Sequence, residues 1–308
     1  MPTATSGAIG TSSVPLGNPK GIYQFTGEKN PGNAGLSYLA GASLNFYWSD
    51  IEPAKGQFNW SLVDGDMQPW VSRGKHVILR VSTAGNPMGG SSNQRTPEWV
   101  FAEGVPHVAL SSGAVYPQYW NATWQRELAG FVQAFAARYD GNPAITYIDV
   151  AVGNDGETIP IKDVTSDALP LMQSIGYSDA LWFSTIQRIV GIYKSAFHRT
   201  PLALQPDKTF IGGTPGYTEE IVLSWAVSQG LWLQNDSLRD GLTLSGPWTQ
   251  TTLAVEQISP AKGRGVDLSS DLAQAVNLHA SFVLIFASDI NRPVNQSALQ
   301  SAASQFGS

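Results

Sequence analysis

Two neighbouring stretches of this chain decide its fold. The first reads Tyr47-Trp-Ser-Asp-Ile-Glu-Pro-Ala-Lys-Gly-Gln-Phe-Asn-Trp60, and the second reads Arg73-Gly-Lys-His-Val-Ile-Leu-Arg80. In the first stretch an aromatic run ends a predicted strand, Pro53 and Gly56 turn the chain, and a helix is expected to begin near Trp60. The β-branched run that ends at Arg80 is typical of a buried strand. Strand, turn, helix and strand in this order predict a βα unit with parallel strands.

The same alternation extends over most of the chain. It predicts eight strands, at Gly21–Thr26, Leu44–Trp48, His76–Val81, Ile145–Val152, Pro201–Gln205, Leu231–Gln234, Leu253–Gln257 and Ser281–Ala287. The helices predicted between them are Ser61–Arg73, Tyr119–Tyr139, Ser178–Phe197, Thr218–Gln229 and Ser269–His279. The first and sixth helices are expected to be short or replaced by loops. No internal repeat is visible. The pattern predicts an α/β fold with a single (β/α)8 TIM barrel.

The length of the chain fits one catalytic domain. A barrel of this kind takes about 250 residues, and the chain has 308. We expect an extended Ser/Thr-rich leader over residues 1–20 and the barrel over residues 21–308. The loop Thr83–Pro117, after the third strand, is longer than a plain connection, so it is predicted to form a rim at the substrate cleft.

Composition excludes several classes of function. The formal net charge is −6 and only 14% of residues are charged, so no basic surface exists for nucleic acid. The chain has no cysteine and four scattered histidines, so we expect neither a metal site nor a cofactor. No apolar run is long enough to span a membrane. A weakly charged, Ser- and Thr-rich surface favours a secreted protein whose partner is an uncharged oligo- or polysaccharide.

Polar side chains collect where the predicted strands end. The catalytic face of such a barrel lies at the carboxyl ends of its strands. The residues expected there are Glu28, Tyr47, Trp48, Arg80, Ser82, Asn154 to Glu157, Gln205, Asp207, Gln234 to Asp236, Glu256, Gln257, Ser288 and Asp289. Amides and carboxylates bind sugar hydroxyls, and aromatic rings stack on sugar faces. From this set and the tryptophans near it, we predict that substrate is bound by Trp48, Arg80, Asn154, Gln205, Gln234, Trp232 and Trp248.

Two of these stretches resemble known glycosidases. The segment from Tyr47 to Arg80 resembles a signature at the second strand of the clan A (β/α)8-barrel glycoside hydrolases. The run Arg138-Tyr-Asp-Gly-Asn-Pro-Ala-Ile-Thr-Tyr-Ile-Asp-Val-Ala-Val-Gly-Asn-Asp-Gly-Glu157 resembles the entry to the fourth strand of family 42-like (β-galactosidase-like) glycosidases. This resemblance implies that Glu157 is the acid/base. Gly156 stands where most clan A enzymes have Asn, and the Gly-x-x-Gly-Glu turn is also similar to that of the inverting β-amylases.

The resemblance also implies a second carboxylate at the end of the seventh strand, where Glu256 is the candidate nucleophile. Cleavage of a glycosidic bond needs one protonated and one ionised carboxyl group. We expect Arg80 to reach Glu256 and keep it ionised. The alternative is a structural ion pair between Glu256 and Arg80, with Glu157 as an ordinary loop residue. Asp149, inside the fourth strand, is interpreted as a polar residue of the barrel interior.

Three functions are compatible with these features. The leading one is a retaining glycosidase for a β-linked oligo- or polysaccharide, and an inverting mechanism of the β-amylase type is its variant. The others are a barrel that binds carbohydrate without cleaving it and a structural protein. Retaining carboxylate pairs lie about 5–5.5 Å apart and inverting pairs roughly 6.5–9.5 Å apart. Because strands four and seven face each other across a narrow mouth, the shorter separation and retention are predicted.

Overall fold

Ten strands are present in the computed structural model, which describes residues 20–25, 30–85, 94–161 and 168–306. The predicted leader, except for Lys20, and the predicted strand-end residue Glu28 lie outside the residues that the structure describes. The strands are β1 (Gly21–Phe25), β2 (Leu39–Tyr47), β3 (His76–Ser82), β4 (His107–Ala109), β5 (Val115–Pro117), β6 (Ile145–Asp149), β7 (Leu202–Leu204), β8 (Trp232–Leu238), β9 (Leu253–Gln257) and β10 (Phe282–Phe286). Strands β4 and β5 form a separate antiparallel hairpin.

The other eight strands close into one parallel barrel. Around the barrel they follow chain order, from β1, β2, β3 and β6 to β7, β8, β9 and β10, and β10 pairs again with β1. Each predicted strand overlaps one of these strands, so the prediction of a single (β/α)8 barrel is confirmed. Strand four of the barrel is β6 and strand seven is β9, and this numbering fixes where the two candidate glutamates lie.

Helices surround the barrel. They are α1 (Trp48–Ile51), α2 (Trp60–Val71), α3 (Glu98–Ala102), α4 (Ala122–Tyr139), α5 (Ala168–Ser174), α6 (Asp179–Ala196), α7 (Glu219–Ser228), α8 (Ala261–Arg264), α9 (Leu268–Asn277), α10 (Ala287–Ile290) and α11 (Gln296–Phe306). The five predicted helices correspond to α2, α4, α6, α7 and α9. Short 3-10 helices, Pro31–Gly35 and Gly246–Thr249, replace the first and sixth helices as expected. Helix α11 was not predicted.

The core has an inner and an outer part. Inside the barrel, Tyr23, Tyr147 and Phe282 pack edge to face or tilted against one another. Between barrel and helices, α4 buries Trp124, Leu128 and other apolar residues at helical spacing. Burial of each such side chain stabilises the fold by about 1.5–3 kcal/mol. Among the described residues, no helix combines the length and apolar character that a membrane span requires.

Candidate active site

Glu256 is the next-to-last residue of β9, at the carboxyl end of the seventh barrel strand, as predicted. It is 7% exposed. The amide nitrogen Nε2 of Gln234, on the neighbouring strand β8, donates a hydrogen bond of 3.0 Å to its Oε2. The Arg80 guanidinium lies 3.7 Å from the same oxygen. A hydrogen-bond donor and a cation therefore both face one oxygen of this carboxylate.

Arg80 and two glutamines connect Glu256 to the opposite side of the barrel. The Nε of Arg80 donates to Asp149 Oδ2 at 2.7 Å, and its NH2 donates to Gln205 Oε1. Gln234 Nε2 also donates to Gln205 Oε1 at 3.1 Å. The structure thus brings Arg80, Gln205 and Gln234 beside Glu256 as predicted. Their polar atoms are largely used in contacts with one another, so they orient the carboxylate.

The protonation state of Glu256 differs from expectation. Burial raises the pKa of Glu256 from 4.5 to about 8, and Arg80 only partly offsets this effect. Negative charges on Asp236 and Asp149 also raise it. The expectation that Arg80 keeps Glu256 ionised is wrong because the NH2 of Arg80 lies 2.5 Å from Asp149 and only 3.7 Å from Glu256. The positive charge of Arg80 is therefore paired more closely with Asp149 than with Glu256.

Glu157 lies in the turn that follows strand β6, with most of its surface buried. The turn is closed by backbone hydrogen bonds from Gly153 N–H to Glu157 O, 2.7 Å, and from Glu157 N–H to Asn154 O, 2.9 Å. Both glycines are required. A Cβ at Gly153 would lie 2.2 Å from the Ile159 carbonyl oxygen. Gly156 has φ +101, and a Cβ there would lie 2.8 Å from Cδ of Arg80. The Gly-x-x-Gly spacing thus packs this turn onto Arg80.

Three carboxylates meet at the ends of three consecutive barrel strands. Oxygens of Glu157, Asp207 and Asp236 all lie within 4.8 Å of one another. Burial and the charges of Asp207 and Asp236 raise the pKa of nearby Glu219 to about 7. Carboxylate oxygens are ligands that hard cations such as Ca²⁺ prefer, so these three could hold one ion.

A repeated motif accounts for two members of this cluster. Strand β7 and the residues after it read Leu202-Ala-Leu-Gln-Pro-Asp207. Leu231 and the first five residues of β8 read Leu231-Trp-Leu-Gln-Asn-Asp236. In both, Gln and Asp are two residues apart and so point to the same side of an extended chain. The glutamines reach the Arg80 network, and the aspartates reach Glu157. The sequence prediction placed both aspartates at strand ends but gave them no role and did not recognise this repeat.

Asn154 and the three predicted tryptophans do not line this site. Asn154 is fully buried, accepts a hydrogen bond of 2.9 Å from the Tyr116 hydroxyl and donates one of 3.0 Å to Asp155. Its side chain is therefore occupied within the protein. It fixes the shape of the Glu157 turn, and we withdraw it as a sugar ligand.

Each tryptophan is a core residue. Trp48 has no exposed surface because the first turn of α1 directs it against Trp99, Trp124 and Phe131. Trp232, at the amino end of β8, stacks on Phe282 inside the barrel with ring centroids 5.5 Å apart. Trp248 is buried in the 3-10 helix beside α7. Trp48 and Trp248 are buried, and Trp232, which is half-buried, lies at the amino end of β8, away from the strand ends that carry the two glutamates.

Comparisons with known proteins agree with the fold. The profile of a family described as beta-galactosidase matches residues 34–158, from the first 3-10 helix through Glu157. The catalytic domain of a beta-amylase from Paenibacillus polymyxa is 12% identical with a TM-score of 0.63, and the match covers 94% of this chain and 98% of that one. A search of curated proteins finds no match.

Two other solved structures have the same barrel. A beta-galactosidase from the psychrophilic Marinomonas ef1 is 13% identical over 86% of this chain and 53% of its own, with a TM-score of 0.52. A xylanase from Paenibacillus barcinonensis is 13% identical over 90% and 87%, with a TM-score of 0.51. These structures show the same (β/α)8-barrel fold as this chain, and the profile match over residues 34–158 agrees with the resemblance to the clan A glycoside hydrolases.

Proposed function

We propose that this protein hydrolyses a β-linked oligo- or polysaccharide, with Glu157 as the acid/base and Glu256 as the nucleophile. One observation carries the proposal: the ends of barrel strands four and seven each supply a buried glutamate, and Arg80 of strand three contacts both sides. Arg80 lies 3.7 Å from Glu256, and its NH1 donates a hydrogen bond of 3.2 Å to the carbonyl of Asp155, two residues before Glu157. The two glutamates thus share one polar centre.

The proposed reaction has two steps. Glu157 donates its proton to the leaving oxygen as a Glu256 oxygen attacks the anomeric carbon and the glycosidic bond breaks. Glu157, now ionised, then removes a proton from water, and the water oxygen displaces Glu256 to release the sugar. Both steps pass through a positively charged, oxocarbenium-like transition state. The negative charges of Asp207 and Asp236 beside Glu157 would stabilise that charge.

The local contacts fit these roles. Gln234 and Arg80 both face Oε2 of Glu256, an arrangement that holds the carboxylate in one orientation and partly offsets the effect of burial on its pKa. Glu157 lies among other carboxylates, with oxygens of Asp207 and Asp236 within 4.8 Å of its own. Asp207 and Asp236 are half-buried, and we assign them the binding of sugar hydroxyls.

The test is turnover of chromogenic aryl β-glycosides and of β-linked polysaccharides. Glu157→Gln and Glu256→Gln should each lower kcat by several orders of magnitude, because both substitutions keep the shape and remove the ionisable group. The matched control is Glu220→Gln, an exposed residue of α7. Azide should restore activity to Glu256→Ala and give a glycosyl azide of inverted configuration. Full activity in either glutamine variant would exclude that residue from catalysis.

An inverting reaction of the β-amylase type is the second candidate. The Gly-x-x-Gly-Glu turn and the near-complete overlap with the Paenibacillus polymyxa domain favour it. NMR of the first product decides: the anomeric configuration of the substrate supports retention, and the opposite configuration supports inversion. Secretion of the protein is a further proposal, based only on its weakly charged, Ser- and Thr-rich composition.

A further inference from the structure

The described part of the segment between β3 and α4, residues 83–85 and 94–121, is fixed at its base to the ends of two barrel strands. The Arg95 guanidinium carbon lies 4.2 Å from the ring centroid of Tyr47, the last residue of β2. The backbone N–H of Ser49 donates to the Arg95 carbonyl at 2.9 Å. The Thr96 hydroxyl donates to the Thr83 carbonyl at 2.7 Å. Arg95 is therefore held in place from several sides.

From this base the segment holds the turn that carries Glu157. Ala84 forms a parallel bridge with Asn154, and the Asp155 N–H donates to the Ala84 carbonyl at 2.9 Å. Arg95 forms an ion pair with the Asp155 carboxylate. From the β4–β5 hairpin, the Tyr116 hydroxyl donates to Asn154 Oδ1 at 2.9 Å. Two consecutive residues of the turn are thus contacted by three separate parts of the segment.

The backbone of this turn needs such support. Asp155 has φ +52, a left-handed conformation that residues other than glycine adopt at a cost, and Gly156 follows with φ +101. Tyr116 and Asn154 have no exposed surface. Because water cannot replace a hydrogen bond lost there, its loss leaves a buried polar atom unsatisfied and favours a shift of the turn.

We infer that this segment is a clamp on the Glu157 turn, and that Tyr116 and Arg95 are positioning residues for the reaction. The inference rests on the proposed function of Glu157. Neither residue contacts the reacting atoms in this scheme. They hold Asn154 and Asp155, and these in turn set the direction of the Glu157 side chain. The enlarged loop after β3 therefore acts on catalysis through the position of Glu157.

The first test compares Tyr116→Phe with Tyr139→Phe. Both remove one hydroxyl from a buried ring, but Tyr139 bonds Asp64 at 2.9 Å in the helical layer, away from the site. Tyr116→Phe should lower kcat about 10- to 100-fold with KM changed less than about twofold, since a small displacement of a catalytic group costs rate rather than binding. Tyr139→Phe should leave kcat within about twofold of the wild type.

Arg95 gives a second, independent test. Arg95→Met should lower kcat at least as much as Tyr116→Phe, and Arg95→Lys, which keeps the charge beside Asp155, should recover part of it. Equal kcat in Tyr116→Phe and wild type, or equal loss in Tyr139→Phe, would overturn the inference. Wild type and Glu157→Gln are measured alongside. If Glu157→Gln is fully active, the proposed function fails; if it is inactive while Tyr116→Phe is normal, only the clamp fails.

Discussion

The ionisation of Glu256 determines how the proposed activity should depend on pH. A nucleophile must be ionised, and burial raises the pKa of Glu256 to about 8. With that pKa, roughly 1% of the carboxyl is ionised at pH 6 and roughly 90% at pH 9. We therefore expect kcat/KM, which reports on the free enzyme, to rise about tenfold per pH unit below pH 8, and to fall at the higher pH where Glu157 loses the proton that it donates.

Asp236→Asn should move this acidic limb, the pH range over which kcat/KM rises, since the charge of Asp236 raises the pKa of Glu256. At a partly exposed site one charge is worth on the order of 1 kcal/mol, so the limb should move by about 0.7 pH unit to lower pH. Asp240→Asn removes the same charge from an exposed position just after β8 and should not move it. Initial rates at low substrate concentration from pH 5 to 10 measure both effects. A kcat/KM that does not rise between pH 6 and pH 8 would refute the assignment of Glu256 as the ionised nucleophile.

Three more outcomes follow from the site. Because the folded-state pKa of Glu256 is raised, its contribution to stability is present below pH 4.5 and is lost as the pH rises through 8. Glu256→Gln, which cannot ionise, should therefore raise the free energy of unfolding in urea by a few kcal/mol at pH 9 and by much less at pH 5. Gly156→Ala should destabilise the fold by about 1–3 kcal/mol and abolish activity, whereas Gly130→Ala, on the exposed face of α4, should not destabilise it in thermal melts. EDTA should leave kcat unchanged because Glu157 must carry a proton; loss of activity restored by Ca²⁺ or Mn²⁺ would assign the three carboxylates to a metal ion.

The barrel could be predicted because each of its strands is marked locally. Runs such as His76–Ser82 are continuous and β-branched, as strands covered on both faces require. Helix α4 has apolar residues at helical spacing and a capping residue, Asn121, whose side chain accepts from Thr123 N–H at 2.9 Å. Helix α11 was missed because Ser, Gln and Ala fill most of its positions. Three-residue strands such as β4 are too short to show a period.

The tryptophans show that a position at the end of a strand does not by itself place a side chain in the site. A residue at a strand end is expected at the mouth of the barrel, yet Trp48 begins α1, and one helical turn there directs it outward into the helical layer. Sequence position gives the element on which a ring lies but not the face it occupies. Burial separates these cases: Trp48 is fully enclosed by three aromatic neighbours, which no local pattern around it reveals.

The raised pKa of Glu256 could not be predicted from the sequence for a related reason. The sequence places Arg80, Asp149 and Glu256 near one another, but a competition between two carboxylates for one arginine is decided by differences of about 1 Å. Asp149 has the shorter contact with Arg80, and burial raises the pKa of Glu256 by more than Arg80 lowers it.

The repeated Leu-x-Leu-Gln-x-Asp motif follows the same geometry. Each copy places a glutamine in the Arg80 network and an aspartate two residues further along, beside Glu157. Each of the two strands thus supplies both an amide in the network around Glu256 and an acid that faces Glu157. The spacing of two residues matters because it keeps both side chains on one face of the strand, and a shift by one would send the aspartates into the helical layer. The glutamines and aspartates that connect Glu157 to Glu256 therefore come from β7 and β8, the two barrel strands between those that carry the two glutamates.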